Sequence, residues 1–204
     1  EDLLYSSMIP SGADATQALA ISLTGSIDNF VKLMNKKAKD LNLAHTNFVN
    51  TTGLDIDNHY SSVKDVLTLL NYSLKNPTFK KVYETKYYTT SNNIELKSTL
   101  SHYNEYLNYD LSFIKGSKTG YTDDAGLCLS TESLIDGANI ITVTTGADYT
   151  YDGYYNNMKD IKKIYSALKE NYINQVVIEE ANVLEKIKTK NAKEDIVIIN
   201  SPKD

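Results

Sequence analysis

The sequence predicts an α+β fold: a helical cluster packed against an antiparallel sheet, followed by the start of a small β-rich domain. Three observations carry this expectation. Apolar residues recur at helical spacing through the first third of the chain. The middle is rich in β-branched and polar residues around Asn92-Asn93 and Asp136-Gly137, both turn dipeptides. A long amphipathic stretch follows, and its apolar stripe needs a sheet to cover it.

Ala15, Ala18, Leu19 and Ser22 share one face of the first clear helix, which Gly25 closes while Ser26 caps the next. The next helix places Ile27, Phe30, Val31, Met34, Ala38 and Leu41 together. Residues 47–60 are rich in Asn, Thr, Gly and Asp and read as a turn-rich connection. Ser62 with Asp65 has the form of a capping box and opens a helix carrying Val63, Val66, Leu67, Leu70 and Leu74. Asn76-Pro77 ends that helix, because the residue before a proline avoids helical geometry. Hairpins are expected over 86–98 and 126–146. The amphipathic helix buries Met158, Ile161, Ile164, Tyr165, Leu168 and Tyr172. Short strands at 175–178, 184–189 and 196–199, separated by charged turns, mark a change of character. The expected domains are therefore 1–173 and 174–204.

A chain of 204 residues can bury one full core. Its net charge of −5 argues against nucleic acid or an anionic membrane surface as partner. All 21 basic residues are lysines, so a carboxylate ligand must be met by point charges rather than by a bidentate guanidinium. Cys128 is the lone cysteine, which excludes an intrachain disulfide and suits a small strand residue in the core. His45, His59 and His102 lack metal-ligand spacing, so no metal and no other cofactor is expected. No apolar run is long enough to span a bilayer, and membrane association is expected only through segments outside these residues.

The stretch richest in chemistry is Ile114-Lys-Gly-Ser-Lys-Thr-Gly-Tyr-Thr122, expected where an apolar-flanked strand meets a turn. Lys118 offers a positive charge and Thr119 a hydroxyl, and both suit a substrate carboxylate. Gly120 leaves room for a substrate backbone along the strand edge. A Lys-Thr-Gly triplet is one signature of the active-site-serine penicillin-binding proteins and β-lactamases.

Further stretches resemble one family, in that family's order. They are Met8-Ile-Pro-Ser-Gly-Ala-Asp-Ala15, Phe30-Val-Lys-Leu-Met-Asn-Lys-Lys-Ala38, Thr46-Asn-Phe-Val-Asn50 with Gly53-Leu-Asp55, and Asn58-His-Tyr-Ser-Ser62. Gly116-Ser-Lys-Thr-Gly-Tyr-Thr122, with Ala125-Gly126 just beyond, completes the set. The family is that of the low-molecular-weight penicillin-binding proteins, the serine D-alanyl-D-alanine carboxypeptidases. The tail from Val176 resembles the opening of its β-rich second domain.

This resemblance implies a β-lactamase/transpeptidase-like fold and acyl transfer, in which a serine attacks the bond between two D-alanines and water releases the acyl-enzyme. Ser11 matches the second-motif serine, which relays protons and orients the leaving amine. Lys118, Thr119 and Gly120 match the strand that binds the terminal carboxylate, and the N–H of Tyr121 matches an oxyanion donor. The implied partners are the peptidoglycan pentapeptide as substrate and β-lactam antibiotics as inhibitors. The implied location is extracytoplasmic, in a secreted or membrane-anchored protein facing the cell wall.

Two departures from the family pattern matter. Ser11-Gly12-Ala13 carries alanine where the family has asparagine, so the usual side-chain amide is missing. The Ser-x-x-Lys motif that supplies the nucleophile belongs ahead of Ser11 and is expected upstream of residue 1, leaving these residues inactive alone. Ser61, Ser112 and Ser166 each precede a lysine by three positions, but none lies ahead of Ser11. Ser11 also suits the cap of a helix over 14–24, Asn104 suits either a turn or a family asparagine, and His59 suits a structural turn. The rival reading is a non-catalytic cell-wall-binding or surface-structural module on the same fold, which Ala13 favours. A β-lactamase fits less well, because residues 30–60 resemble the carboxypeptidases.

Overall fold

The computed structural model describes residues 1–107, 110–149, 156–171, 183–188 and 196–200. The chain divides into two units, Glu1–Asn171 and Tyr172–Asp204.

In the first unit, α1 (Asp2–Met8) leads through a tight link into α2 (Ala13–Thr24). Gly25 ends α2 at a φ of 81°, a conformation that needs no Cβ, and the Ser26 side chain accepts from the Asn29 N–H to start α3 (Ile27–Asp40). None of Ile27, Phe30, Val31, Met34, Ala38 and Leu41 is exposed, as their spacing requires, although only Ala38 is fully buried. Ser62 likewise caps α4 (Val63–Ser73) by accepting from the Asp65 N–H. The Asp65 carboxylate does not complete the reciprocal box. It accepts instead from the His45 N–H and the Thr46 hydroxyl, each at 2.8 Å. Those bonds fix which side of α4 turns inward, so Asp65 and Leu70 are buried while Val63 and Leu67 stay exposed.

α4 ends at Ser73, and after Leu74 and Lys75 Asn76 caps α5 (Pro77–Glu84), a helix that the proline conceals. The Asn76 side chain accepts from the Thr78 and Phe79 N–H groups, and Pro77 sits in the first turn, where its missing N–H costs nothing. The first expected hairpin follows as β1 (Tyr87–Thr89) and β2 (Glu95–Lys97), with Asn93 at a φ of 63° in its turn. A further helix, α6 (Thr99–Leu107), leads to the main sheet.

That sheet is antiparallel in the order β3 (Ile114–Thr122), β4 (Gly126–Ile135), β5 (Ala138–Ala147). Asp136 and Gly137, at φ values of 48° and 82°, make the two-residue turn their identities predict. α7 (Asn156–Asn171) covers one face, packing Met158, Ile161 and Tyr165 on Ile114, Leu129 and Ile135. Each large apolar side chain buried there contributes roughly 1.5–3 kcal/mol. The Tyr165 hydroxyl lies 2.6 Å from the hydroxyls of Thr131 and Ser133, so the buried ring leaves no polar atom unpaired. Residues alternate along a strand, so Ser130 and Glu132 point to the other face. There α5 backs the sheet: Tyr83 meets Ser130 and Lys80 pairs with the buried Glu132.

In the second unit, β6 (Val183–Lys188) pairs antiparallel with β7 (Ile196–Asn200), close to two of the strands expected there. The strand expected at 175–178 and the side chain of Tyr172 lie outside the described residues.

Candidate active site

β3 is an edge strand among the described residues, and its central Lys118, Thr119 and Gly120 pair in register with Ser130, Leu129 and Cys128. The triplet does not meet a turn. Pairing continues through Tyr121 and Thr122, because Leu127 and Gly126 extend the partner strand beside them.

Alternation sends Lys118 and Gly120 to the face shared with Cys128 and Ser130. On that side the Lys118 ammonium donates to the Ser11 hydroxyl and, at 2.7 Å, to the Thr119 carbonyl. Burial pushes the Lys118 ammonium down to about 8. The Thr119 hydroxyl takes no partner among the described residues and lines the same cleft. Tyr121 is held by its hydroxyl donating to Asp123 at 2.8 Å and by ring contact with Tyr149 at 4.6 Å.

Ser11 reaches Lys118 through an unusual local path. Its φ is 59°, in the left-handed region that serine rarely adopts. The Gly12 N–H donates to the Ser6 carbonyl at 2.9 Å, folding the link back on the end of α1. A Cβ on Gly12 would lie 2.8 Å from that oxygen, so only glycine fits in the middle of Ser11-Gly12-Ala13. The cap of α2 is Gly12, with no side-chain bond, and Ser11 therefore does not cap the helix. Its hydroxyl is left to the lysine. Ala13 opens α2 and presents its methyl group to the cleft.

The cleft has a volume of about 1450 Å³ and runs from α1 and α2 past residues 48–62 to β3. Side chains hold the loop that forms its rim. Asn35 bonds both the N–H and the carbonyl of Phe48, at 2.8 and 2.7 Å. Asn50 accepts from the Thr52 and Gly53 N–H groups, and Asn47 donates to the Asn58 carbonyl at 2.6 Å. His59 Nδ1 accepts from the Val49 N–H at 3.0 Å, and burial pushes the imidazole down, which suits this structural role. Asp55 accepts from the Asp124 N–H at 3.2 Å, joining the loop to the β3–β4 turn.

One position differs from expectation. Cys128 is half-buried and lines the cleft instead of the core, with burial pushing its thiol up. Ser61 also lines the cleft, but its hydroxyl is engaged with Thr46 at 2.8 Å, while Ser112 and Ser166 are exposed elsewhere. The side chain of Asn104 lies outside the described residues. Gly120 is exposed, and a Cβ there would meet only Cys128 Cβ, at 3.7 Å. The fold itself has no need of glycine at that point.

Residues 1–149 match the family model described as D-alanyl-D-alanine carboxypeptidase. The chain belongs to this family. The carboxypeptidase DacF of Bacillus subtilis (strain 168) is 36% identical over 147 residues, which is 72% of this chain and 38% of that protein. DacA of Haemophilus influenzae is 32% identical over 154 residues, 74% of this chain and again 38% of its relative. The chain thus spans 38% of the length of each. Among solved structures, penicillin binding protein 5 from Haemophilus influenzae has a TM-score of 0.73 at 26% identity, covering 99% of this chain and 57% of that one. Penicillin-Binding Protein D2 from Listeria monocytogenes, in its cefotaxime-bound form, has a TM-score of 0.69 at 28% identity, covering 81% and 64%. The family's α+β transpeptidase-like fold is the one the sequence led us to expect.

Proposed function

We propose that this chain is part of a serine-type D-Ala-D-Ala carboxypeptidase that trims peptidoglycan stem peptides through an acyl-enzyme. One observation carries the reading: Ser11 and Lys118, far apart in sequence, meet in one cleft beside an open strand edge. The substrate's terminal carboxylate meets the Lys118 ammonium and the Thr119 hydroxyl. An arriving anion favours the charged form of a lysine that burial has weakened. Because Ser11 Oγ accepts from Lys118, its own proton is directed into the cleft, where it passes to the leaving amine and is replaced by the proton that the attacking serine gives up. The substrate backbone lies along the Gly120 edge, and the Tyr121 N–H supports the oxyanion. The nucleophile is the serine of a Ser-x-x-Lys motif, which family order puts ahead of Ser11. β-Lactams acylate that same serine, and the work is done outside the membrane at the cell wall. Residues from 174 onward begin a β-rich domain.

Fluorescent penicillin and mass spectrometry on the full gene product test this. Acylation of one serine is expected, lost in Lys118→Ala and slowed in Ser11→Ala. A gene product that neither binds penicillin nor releases D-alanine from pentapeptide overturns the proposal. These 204 residues alone form no covalent penicillin adduct, and a stable adduct on them refutes an upstream nucleophile.

Ala13 favours a second reading, a cell-wall-binding module that holds the peptide without cleaving it. Ala13→Asn discriminates between the two. Faster turnover points to an enzyme slowed by its missing amide, whereas pentapeptide binding without turnover in either form points to the module.

A further inference from the structure

We propose that Tyr83 is a positioning residue through which α5 holds Lys118 against Ser11. Its consequence for catalysis rests on the functional reading above, while its geometry stands apart from it. Neighbouring residues of α5 face the two segments that carry the site. Val82 is buried with Tyr5 and Ile9, and Ile9 lies two residues ahead of Ser11. The link between them is tight, since the Ile9 N–H bonds the Tyr5 carbonyl and the Gly12 N–H bonds that of Ser6.

Tyr83 turns the other way, onto the sheet. Its ring lies over Gly116, two residues ahead of Lys118, so closely that a Cβ there would sit 2.4 Å from the ring's Cδ1. Its hydroxyl meets that of Ser130 at 3.0 Å, and Ser130 is the register partner of Lys118. Ser130 in turn stands 3.5 Å from the Lys118 carbonyl. Tyr83 is only 3% exposed and stacks on Phe79 at 5.7 Å, so its ring has one seat. Burial pushes the phenol up, and it remains a neutral hydroxyl. A single helix thus touches both arms of the site, and its rigidity sets the gap between them. Tyr83 does not line the cleft. It acts through Lys118. Without its ring, β3 can settle toward α5 and draw the ammonium away from the serine hydroxyl.

A lysine side-chain NMR titration, with the Lys118 signal assigned by Lys118→Met, reports how firmly the ammonium is held in its buried seat. Tyr83→Leu is expected to shift that titration upward, toward ordinary lysine. Tyr83→Phe and Val82→Ala are expected to give smaller upward shifts. Tyr165→Phe, on the opposite face of the sheet, is expected to lower the melting temperature without moving Lys118. An unchanged Lys118 titration in folded Tyr83→Phe and Val82→Ala overturns the proposal, as does an equal shift in Tyr165→Phe. If Tyr83→Leu does not fold, the two milder variants decide. In the full gene product the Tyr83 and Val82 variants slow penicillin acylation. A wild-type product inert to penicillin sinks the functional reading, while the titration still tests the positioning.

Discussion

The two faces of the main sheet are specified by different properties of their residues. On the α7 face, Ile114, Leu129, Met158, Ile161 and Tyr165 are all 2% exposed or less, and volume decides what fits. On the cleft side, α2 buries only Ala15 and Ala20, while Leu23 and Leu33 remain 70% and 52% exposed. Direction holds that side together. Asn35, Asn50, His59 and Asp65 each point a polar atom at a particular backbone group. A face built on volume tolerates apolar exchanges of equal size. One built on aimed hydrogen bonds tolerates few exchanges of any size.

Truncation in the packed face has the largest expected effect. Ile161→Ala or Leu129→Ala should cost about 2–5 kcal/mol in denaturant unfolding, because each leaves a cavity in a closed core. A loss under about 1 kcal/mol would show that this face is not the main store of stability. Asp65→Ala comes next, at about 1–3 kcal/mol, because the His45 and Thr46 donors lose their acceptor. Burial alone raises the Asp65 carboxyl, but the bonds from Thr46 and His45 outweigh it and leave it below its ordinary range. Its stabilisation is therefore complete above the unfolded value of about 3.9 and is lost as pH falls through the lower folded value. Asp65→Asn should flatten that acid limb, and an unchanged limb would place the effect on another carboxylate.

Lys118 makes stability rise with pH as Asp65 does, but in the alkaline range, because there the charged form is the disfavoured one. Its folded value of about 8 lies below that of an unfolded lysine, so the folded chain binds fewer protons between the two. Stability should rise with pH across that window, and the rise should be weaker in Lys118→Met. The smallest effect on stability is expected from Gly120→Ala, within about ±0.5 kcal/mol. Penicillin acylation of the full gene product should nevertheless fall in that variant. Equal losses of stability and acylation would make Gly120 a structural residue.

Much of the fold, the packed face above all, was legible where its signals are local. Gly25-Ser26 marked one helix end and the next start, Asp136-Gly137 marked a turn, and the spacing of Met158, Ile161 and Tyr165 marked a buried stripe. The cleft side was legible only in part. Asn76-Pro77 reads as a stop, yet the same two residues start α5. The inward side of α4 depends on bonds from Asp65 to residues 45 and 46, which no periodicity reports. Ser11 looks locally like a helix cap, and only its likeness to a family motif pointed to Lys118. Tyr83 carries no local mark, because its partners Gly116 and Ser130 are distant in sequence.

The joint at Asn76 has little slack, since only Leu74 and Lys75 separate the last residue of α4 from the cap of α5. One residue added within α5 ahead of Val82 would turn Val82 and Tyr83 by about 100° about the helix axis, tearing both from their seats. Gaps and insertions are therefore expected to be selected against in α5, a pattern that sequencing of relatives can check.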